Sequence, residues 1–174
     1  VSLEYLNPFQ LRQWPDEKER ILDIKVKTEP GELIDIEMQI CAYEYLENRL
    51  LYYHGGLIRS ALKKGQSYGK MLKTITICIV DDIMFPETGE FLNYFRLLEE
   101  TTHIPFTNIM GICVIELPKV NSEGRPSEEL TELELCLEYL KYADERGSEY
   151  VDALIKRGGK ELKMTQYILE KATE

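Results

Sequence analysis

At 174 residues, with 44% hydrophobic and 30% charged side chains, the chain has the size and composition of one globular domain able to bury a sizeable core. Its net charge of −10 argues against a broadly basic nucleic-acid-binding surface, and no apolar run approaches the roughly 18 residues of a membrane-spanning helix. The opening "VSLEYLNPFQ" lacks a basic stretch followed by a long apolar one, so it does not read as a signal peptide; the expectation is a cytoplasmic protein with no membrane partner, whose first residue, Val1, points to a missing upstream segment.

In chain order, "VSLEYLNPF" alternates weakly and ends at Pro8, which predicts a short first strand. "LRQWPDEKE" is a polar connection broken by Pro15. Residues 21–40, "ILDIKVKTEPGELIDIEMQI", then read as two strands around a Pro-Gly turn. From Tyr43 to about Lys64 the period changes: Leu46, Leu50, Tyr53, Leu57 and Ala61 define one helix face, and Gly65 is the expected stop. Gly55 and Gly56 inside that helix suggest either close backbone approach or a kink. "LKTITICIVDDI" is β-branched and apolar, the pattern of a central strand. "GEFLNYFRLLEE" is read as a strand from its alternating aromatics, and "IMGICVIELPK" as a buried strand stopped by Pro118. A Gly-, Pro- and Ser-rich loop leads to a helix capped by Ser127, with Leu130, Leu133, Leu137 and Leu140 as its apolar stripe. Two shorter helices follow, separated by Gly158 and Gly159.

The four cysteines, at 41, 78, 113 and 136, include no CxxC and sit mostly in apolar runs, the pattern of reduced structural thiols. His54 and His103 lack any ligand spacing and read as surface or satisfied histidines. Charge is uneven. Acids dominate from Ser122 to Glu149, whereas Arg49, Arg59, Lys63, Lys64, Lys70 and Lys73 form a basic sector. That sector is the candidate DNA contact, with a solvated helix face as the equal alternative.

The hairpin carries a pattern that needs explaining. Asp23, Lys25, Lys27, Asp35, Glu37 and Gln39 fall on one face; Ile24, Val26, Ile34, Ile36 and Met38 fall on the other. Opposed residues in an antiparallel pair share a face. A two-residue turn at Pro30-Gly31 mixes the faces, whereas a three-residue loop, Pro30-Gly31-Glu32, sorts them. It pairs Asp23 with Gln39, Lys25 with Glu37 and Lys27 with Asp35, and a five-residue loop gives the same result. On spacing alone a solvated strand face is the commoner arrangement. A cluster of two carboxylates and an amide oxygen is also a natural magnesium site, because magnesium takes hard oxygen ligands and keeps several waters. Such an ion polarises a phosphoryl oxygen and acidifies water for in-line attack on phosphorus.

Asp23, thirteen intervening residues and then Glu37-Met38-Gln39 resembles the PD-(D/E)xK nuclease pattern, with glutamine at the usual lysine position. The string "LDIKVKTEPGELIDIEMQ" is similar to the recombination-promoting nuclease and transposase group of that superfamily. "NRLLYYHGGLIRSALKKGQSY", "KTITICIVDDIMFPE" and "VIELPK" continue the likeness, which covers roughly residues 1–120. The resemblance implies an α/β fold: a restriction-endonuclease-like mixed sheet flanked by helices, with a helical C-terminal tail. It divides the chain into a nuclease-like core at 1–120, its N-terminal helix missing, and a helical extension at 121–174.

It further implies a magnesium- or manganese-dependent DNA endonuclease associated with mobile elements and recombination. Asp23 and Glu37 become metal ligands, and Gln39 takes the position of the water-orienting lysine. An amide supplies no full charge, though it can coordinate or hold water. Lys25, opposite Glu37 in the expected register, is the nearest compensating cation, with a cross-strand salt bridge as its plainer reading. Asp35 reads as a surface partner of Lys27 before it reads as a further ligand. Arg49, Tyr52 and Tyr53, at i, i+3 and i+4, become substrate-binding candidates beside Lys25, against structural roles for Arg49 and Tyr53. A homodimer is a further implication, since nucleases that cut both strands are often two-fold. The competing reading is a catalytically inactive nuclease-fold module that binds DNA or another partner.

Overall fold

The computed structural model describes residues 3–6, 9–10, 20–21, 24–120, 125–126, 129–142, 149–159 and 162. In chain order the strands are β1 (Leu3–Leu6), β2 (Phe9–Gln10), β3 (Arg20–Ile21), β4 (Ile24–Thr28) and β5 (Leu33–Gln39). Helix α1 (Leu46–Ser60) precedes β6 (Thr74–Val80), β7 (Leu92–Phe95), β8 (Met110–Glu116) and helix α2 (Glu132–Tyr142). A helical segment over 149–159 follows. Six strands form one mixed sheet in the order β1-β4-β5-β6-β8-β7, while β2 and β3 pair separately. The centre, β5-β6-β8, is parallel, and the flanking pairs are antiparallel. Every expected strand is present, including "LNYF", whose pairing with β8 decides its ambiguous pattern.

The hairpin forms with the expected faces but a different register. Lys25 opposes Asp35, Val26 opposes Ile34 and Ile24 opposes Ile36. The loop is Glu29-Pro30-Gly31, one residue earlier than expected: the Thr28 amide donates to Glu32 O (3.0 Å) and the Gly31 amide to Thr28 O (2.8 Å). Gly31 sits at φ +91°, a left-handed conformation that glycine adopts without a Cβ clash. As the last loop residue it closes the turn. The Thr28 hydroxyl adds a bond by accepting from the Glu32 amide at 3.1 Å. Lys25 therefore faces Asp35, not Glu37, and Lys27 faces Leu33, not Asp35.

Both sheet faces are covered. Helix α1 lies on the polar face of the hairpin, seating Leu46 and Leu50 against Cys78, Val80, Ile112 and Val114, and Leu57 and Ala61 against Leu33. The face expected to meet solvent is thus roofed, and Asp35, expected at the surface, is fully buried. The buried stripe of α1 is Leu46, Leu50, His54, Gly56 and Leu57; His54 takes the place that the apolar pattern assigned to Tyr53. The helix ends at Ser60, earlier than expected, and Gly65 serves a later turn at φ +85°. A Cβ on Gly55 would meet no atom within 4 Å, so close approach does not explain that glycine.

On the opposite face α2 presents Leu137 to Cys113, Ile115, Leu117 and Val120, with Leu140 beside them. Leu130 belongs to an adjoining cluster with Leu135, Tyr139, Leu154 and Leu162; Leu133 is exposed. Most of the leucine stripe is core. Ser127, the expected cap, lies outside the described residues, and α2 begins instead at a reciprocal capping box. The Thr131 hydroxyl accepts from the Glu134 amide (3.2 Å), and Glu134 Oε2 accepts from the Thr131 amide (2.8 Å). The Thr131 amide, then the Arg125 guanidinium at 2.6 Å, hold the Glu134 carboxyl down at about 2. Thr131→Ala is expected to lower stability by about 1 kcal/mol, read as a shift in urea midpoint; an unshifted midpoint would show that the box contributes nothing.

Candidate active site

The parallel strands β5, β6 and β8 end together: Gln39, Val80 and Glu116 are register partners across the sheet. Helix α1 begins at this end. The chain enters it through Tyr45 in a left-handed conformation, φ 68°. The approach is fixed by Asp81, whose amide donates to Gln39 O (3.0 Å), and by Asp82, which accepts from the Ala42 amide (3.0 Å). These links place the first turns of α1 over the last residues of β5.

Glu37 lies under that roof at 0% exposure. Its Oε2 receives the Gln39 amide at 3.5 Å and faces Arg49 Nη2 at 3.6 Å. Arg49 is anchored in turn: Nη1 donates to the Tyr43 hydroxyl at 2.7 Å, and its Cζ sits 5.0 Å from the Tyr53 ring centroid. Partial burial pulls the guanidinium pKa down, but the Tyr43 hydrogen bond and the nearby Tyr53 and Glu37 raise it on balance. Tyr52 is exposed, its ring 6.1 Å from that of Tyr53. Glu37, Gln39, Arg49 and Tyr53 are therefore brought together. Tyr43 is the member that the spacing did not single out, and its only signal was an aromatic six residues before Arg49. Asp23 lies outside the described residues; it precedes Ile24, whose partner Ile36 precedes Glu37.

Lys25 belongs to a different cluster. It is 8% exposed, opposes Asp35 and donates from Nζ to Ser60 Oγ at 3.2 Å. Burial lowers its pKa, and the Asp35 charge pulls it back up. Beside this pair His54 accepts or shares a proton with Thr76 Oγ1 at 2.9 Å and approaches Thr74 Oγ1 at 3.5 Å. It is a satisfied core histidine, as its isolation suggested.

Glu116, buried at the end of β8, has four donors. The Met84 and Phe85 amides lie at 2.6 and 3.0 Å, Asn93 Nδ2 at 2.9 Å and Lys119 Nζ at 2.7 Å. Burial alone would raise its pKa, but Lys119 and the two amides hold it below the usual carboxylate range. This carboxylate ties the 84–93 connection to the sheet. The basic sector is split. Lys73 is bound to Glu32 at 2.8 Å. Arg59, Lys63, Lys64 and Lys70 are exposed around the far end of α1, with Arg59 about 15 Å along the helix axis from Arg49 at 1.5 Å per residue.

The donor set around Glu37 suits a hard divalent cation. It offers a buried carboxylate and an amide oxygen two residues on, without sulfur or imidazole ligands. Among the described residues no group of three or more His, Cys, Asp or Glu side chains is arranged to hold a metal. Among the described residues, too, no helix is long and apolar enough to cross a membrane. In comparisons with known proteins, the family model described as "PD-(D/E)XK nuclease family transposase" matches residues 1–173. No curated protein and no solved structure matches.

Proposed function

Because the chain belongs to the PD-(D/E)XK nuclease family transposases, we propose that it is a magnesium- or manganese-dependent endonuclease that hydrolyses DNA phosphodiester bonds, acting in the cytoplasm on mobile-element or recombining DNA. The observation that carries this reading is Glu37: a fully buried carboxylate at the end of β5, with Gln39 and Arg49 on one of its oxygens. Burying a carboxylate is costly unless charged and hydrogen-bonding groups accompany it, and a site that holds Glu37 beside an amide and a guanidinium has the polarity needed for cation and phosphate. Asp23 and Glu37 are the proposed metal ligands. The bound cation would polarise a phosphoryl oxygen and lower the pKa of water.

The chain's own residues supply the remainder. Gln39 can turn its carbonyl oxygen to the cation or its NH2 to a water. Tyr52, exposed about one turn along α1 from Arg49, and the Arg49–Tyr53 pair are the proposed substrate contacts. Lys25, enclosed with Asp35 and Ser60, reads as a structural cation rather than a substrate contact. Cys41, Cys78, Cys113 and Cys136 are not joined in disulfides, which suits a reducing compartment.

The test is plasmid nicking with Mg2+ or Mn2+ by the wild-type chain and by Glu37→Ala. Nicking is expected to fall at least tenfold in the variant while its circular dichroism is unchanged. Equal rates in the two proteins would favour an inactive nuclease-fold module that binds DNA or a protein partner.

A further inference from the structure

We propose that Arg49 is a positioning residue for Glu37, a guanidinium clamped by Tyr43 and Tyr53 that supplies the positive charge Gln39 cannot and that contests Glu37 with the metal. The inference rests on the metal-dependent reading above and concerns the control of that same site.

Three observations carry it. First, Arg49 Nη2 and the Gln39 amide converge on the same atom, Glu37 Oε2, at 3.6 and 3.5 Å. One ligand oxygen thus faces both a full charge and a neutral amide. Second, the guanidinium is held from two sides. Its Nη1 is fixed by Tyr43 at 2.7 Å, and its plane is carried by the Tyr53 ring at 5.0 Å, with the Tyr43 ring at 5.9 Å. Two such anchors on a surface-facing arginine restrict it to the geometry that reaches Glu37. Third, the other candidate cation is committed elsewhere, since Lys25 opposes Asp35 and donates to Ser60.

The physical consequence has a definite sign. Without metal, the guanidinium offsets the cost of keeping Glu37 ionised in a buried position. A divalent cation arriving at the same carboxylate meets a like charge a few ångströms away, and that repulsion weakens its binding. Once the cation takes the carboxylate, the guanidinium stays within reach of the same space, where a phosphate oxygen would be bound. Arg49 therefore opposes metal affinity while supporting turnover. A residue with only a structural role would support both.

The experiment measures Mn2+ binding by the full chain, from the electron paramagnetic resonance of the free ion, alongside plasmid nicking. Arg49→Gln is expected to bind Mn2+ about three- to tenfold more tightly and to nick at least tenfold more slowly. Arg49→Lys, which keeps a positive charge but lacks the fork that Tyr43 and Tyr53 hold, is expected to tighten Mn2+ binding less than Arg49→Gln does. Should Arg49→Gln fail to fold, Tyr43→Phe carries the test: it releases the anchor without changing charge, and a smaller tightening is expected. The proposal is overturned if the Arg49 and Tyr43 variants bind Mn2+ as wild type or more weakly, while Glu37→Ala loses binding. If Glu37→Ala itself binds Mn2+ unchanged, the metal-dependent reading fails first and this inference falls with it.

Discussion

Asp35→Ala and Lys25→Met are each expected to destabilise the fold by about 3–5 kcal/mol, whereas Lys25→Met combined with Asp35→Leu should recover most of that loss. The reason lies in where the pair sits. Lys25 and Asp35 are directly opposed on β4 and β5, at 8% and 0% exposure, beneath the C-terminal half of α1. Removing Asp35 leaves the Lys25 ammonium enclosed by protein with a bond to Ser60 Oγ that cannot neutralise it, and removing Lys25 takes away the positive charge that faces buried Asp35. Removing both replaces two desolvated ions with apolar volume in a region already lined by Leu33 and Leu57. Urea denaturation of the three variants measures it. A double variant no more stable than either single one would show that the pair is not coupled. The same protein has a functional use, because a folded double variant that still nicks DNA would support the structural reading of Lys25, and one that folds but no longer nicks would restore it as a candidate substrate contact.

That pair also marks where sequence reasoning stopped. Alternation along residues 21–40 fixes which side chains share a face, because strand periodicity is two and the loop is odd. It does not fix which residues are opposite. Loops of Pro30-Gly31-Glu32 and Glu29-Pro30-Gly31 sort the faces equally well, yet they differ by two residues in register. The discriminating signal is Gly31: a three-residue hairpin loop places its left-handed residue last, and Gly31 is the loop residue at φ +91°. The change moved Lys25 from Glu37 to Asp35.

The roof over that face was harder to foresee. A row of charged and amide side chains ordinarily faces water, and the helix that covers it was read by its apolar residues alone. Tyr53 fits the apolar stripe as well as His54 does, since they are neighbours on the helix. The structure seats His54 inward because Thr74 and Thr76 on β6 offer it oxygen partners. Tyr53 is thereby turned outward, where Arg49 stacks on it. The family motif identified Glu37 and Gln39 correctly as neighbours, but the Tyr43 anchor depends on how the 40–45 connection folds back, which no periodicity encodes.

The buried histidine leads to a pH dependence with a fixed sign. His54 is 1% exposed, and burial lowers its pKa from 6.5 to about 4. The unfolded chain therefore takes up a proton near pH 6.5 while the folded chain resists it, so stability rises with pH across this window. The contribution is fully present above pH 6.5 and is lost as pH falls toward 4. A shift of that size corresponds to about 3 kcal/mol in total, of which about 2 kcal/mol disappears between pH 7 and 5. Measuring between pH 7 and 5 keeps most carboxylates ionised, so the histidine dominates the slope. Urea midpoints of the wild-type chain are expected to fall across that range, and those of His54→Gln, which can still hydrogen-bond to Thr76 but does not titrate, to fall much less. Parallel slopes for the two proteins would mean that His54 accepts a proton in place, and that the polar layer between α1 and β6 admits water.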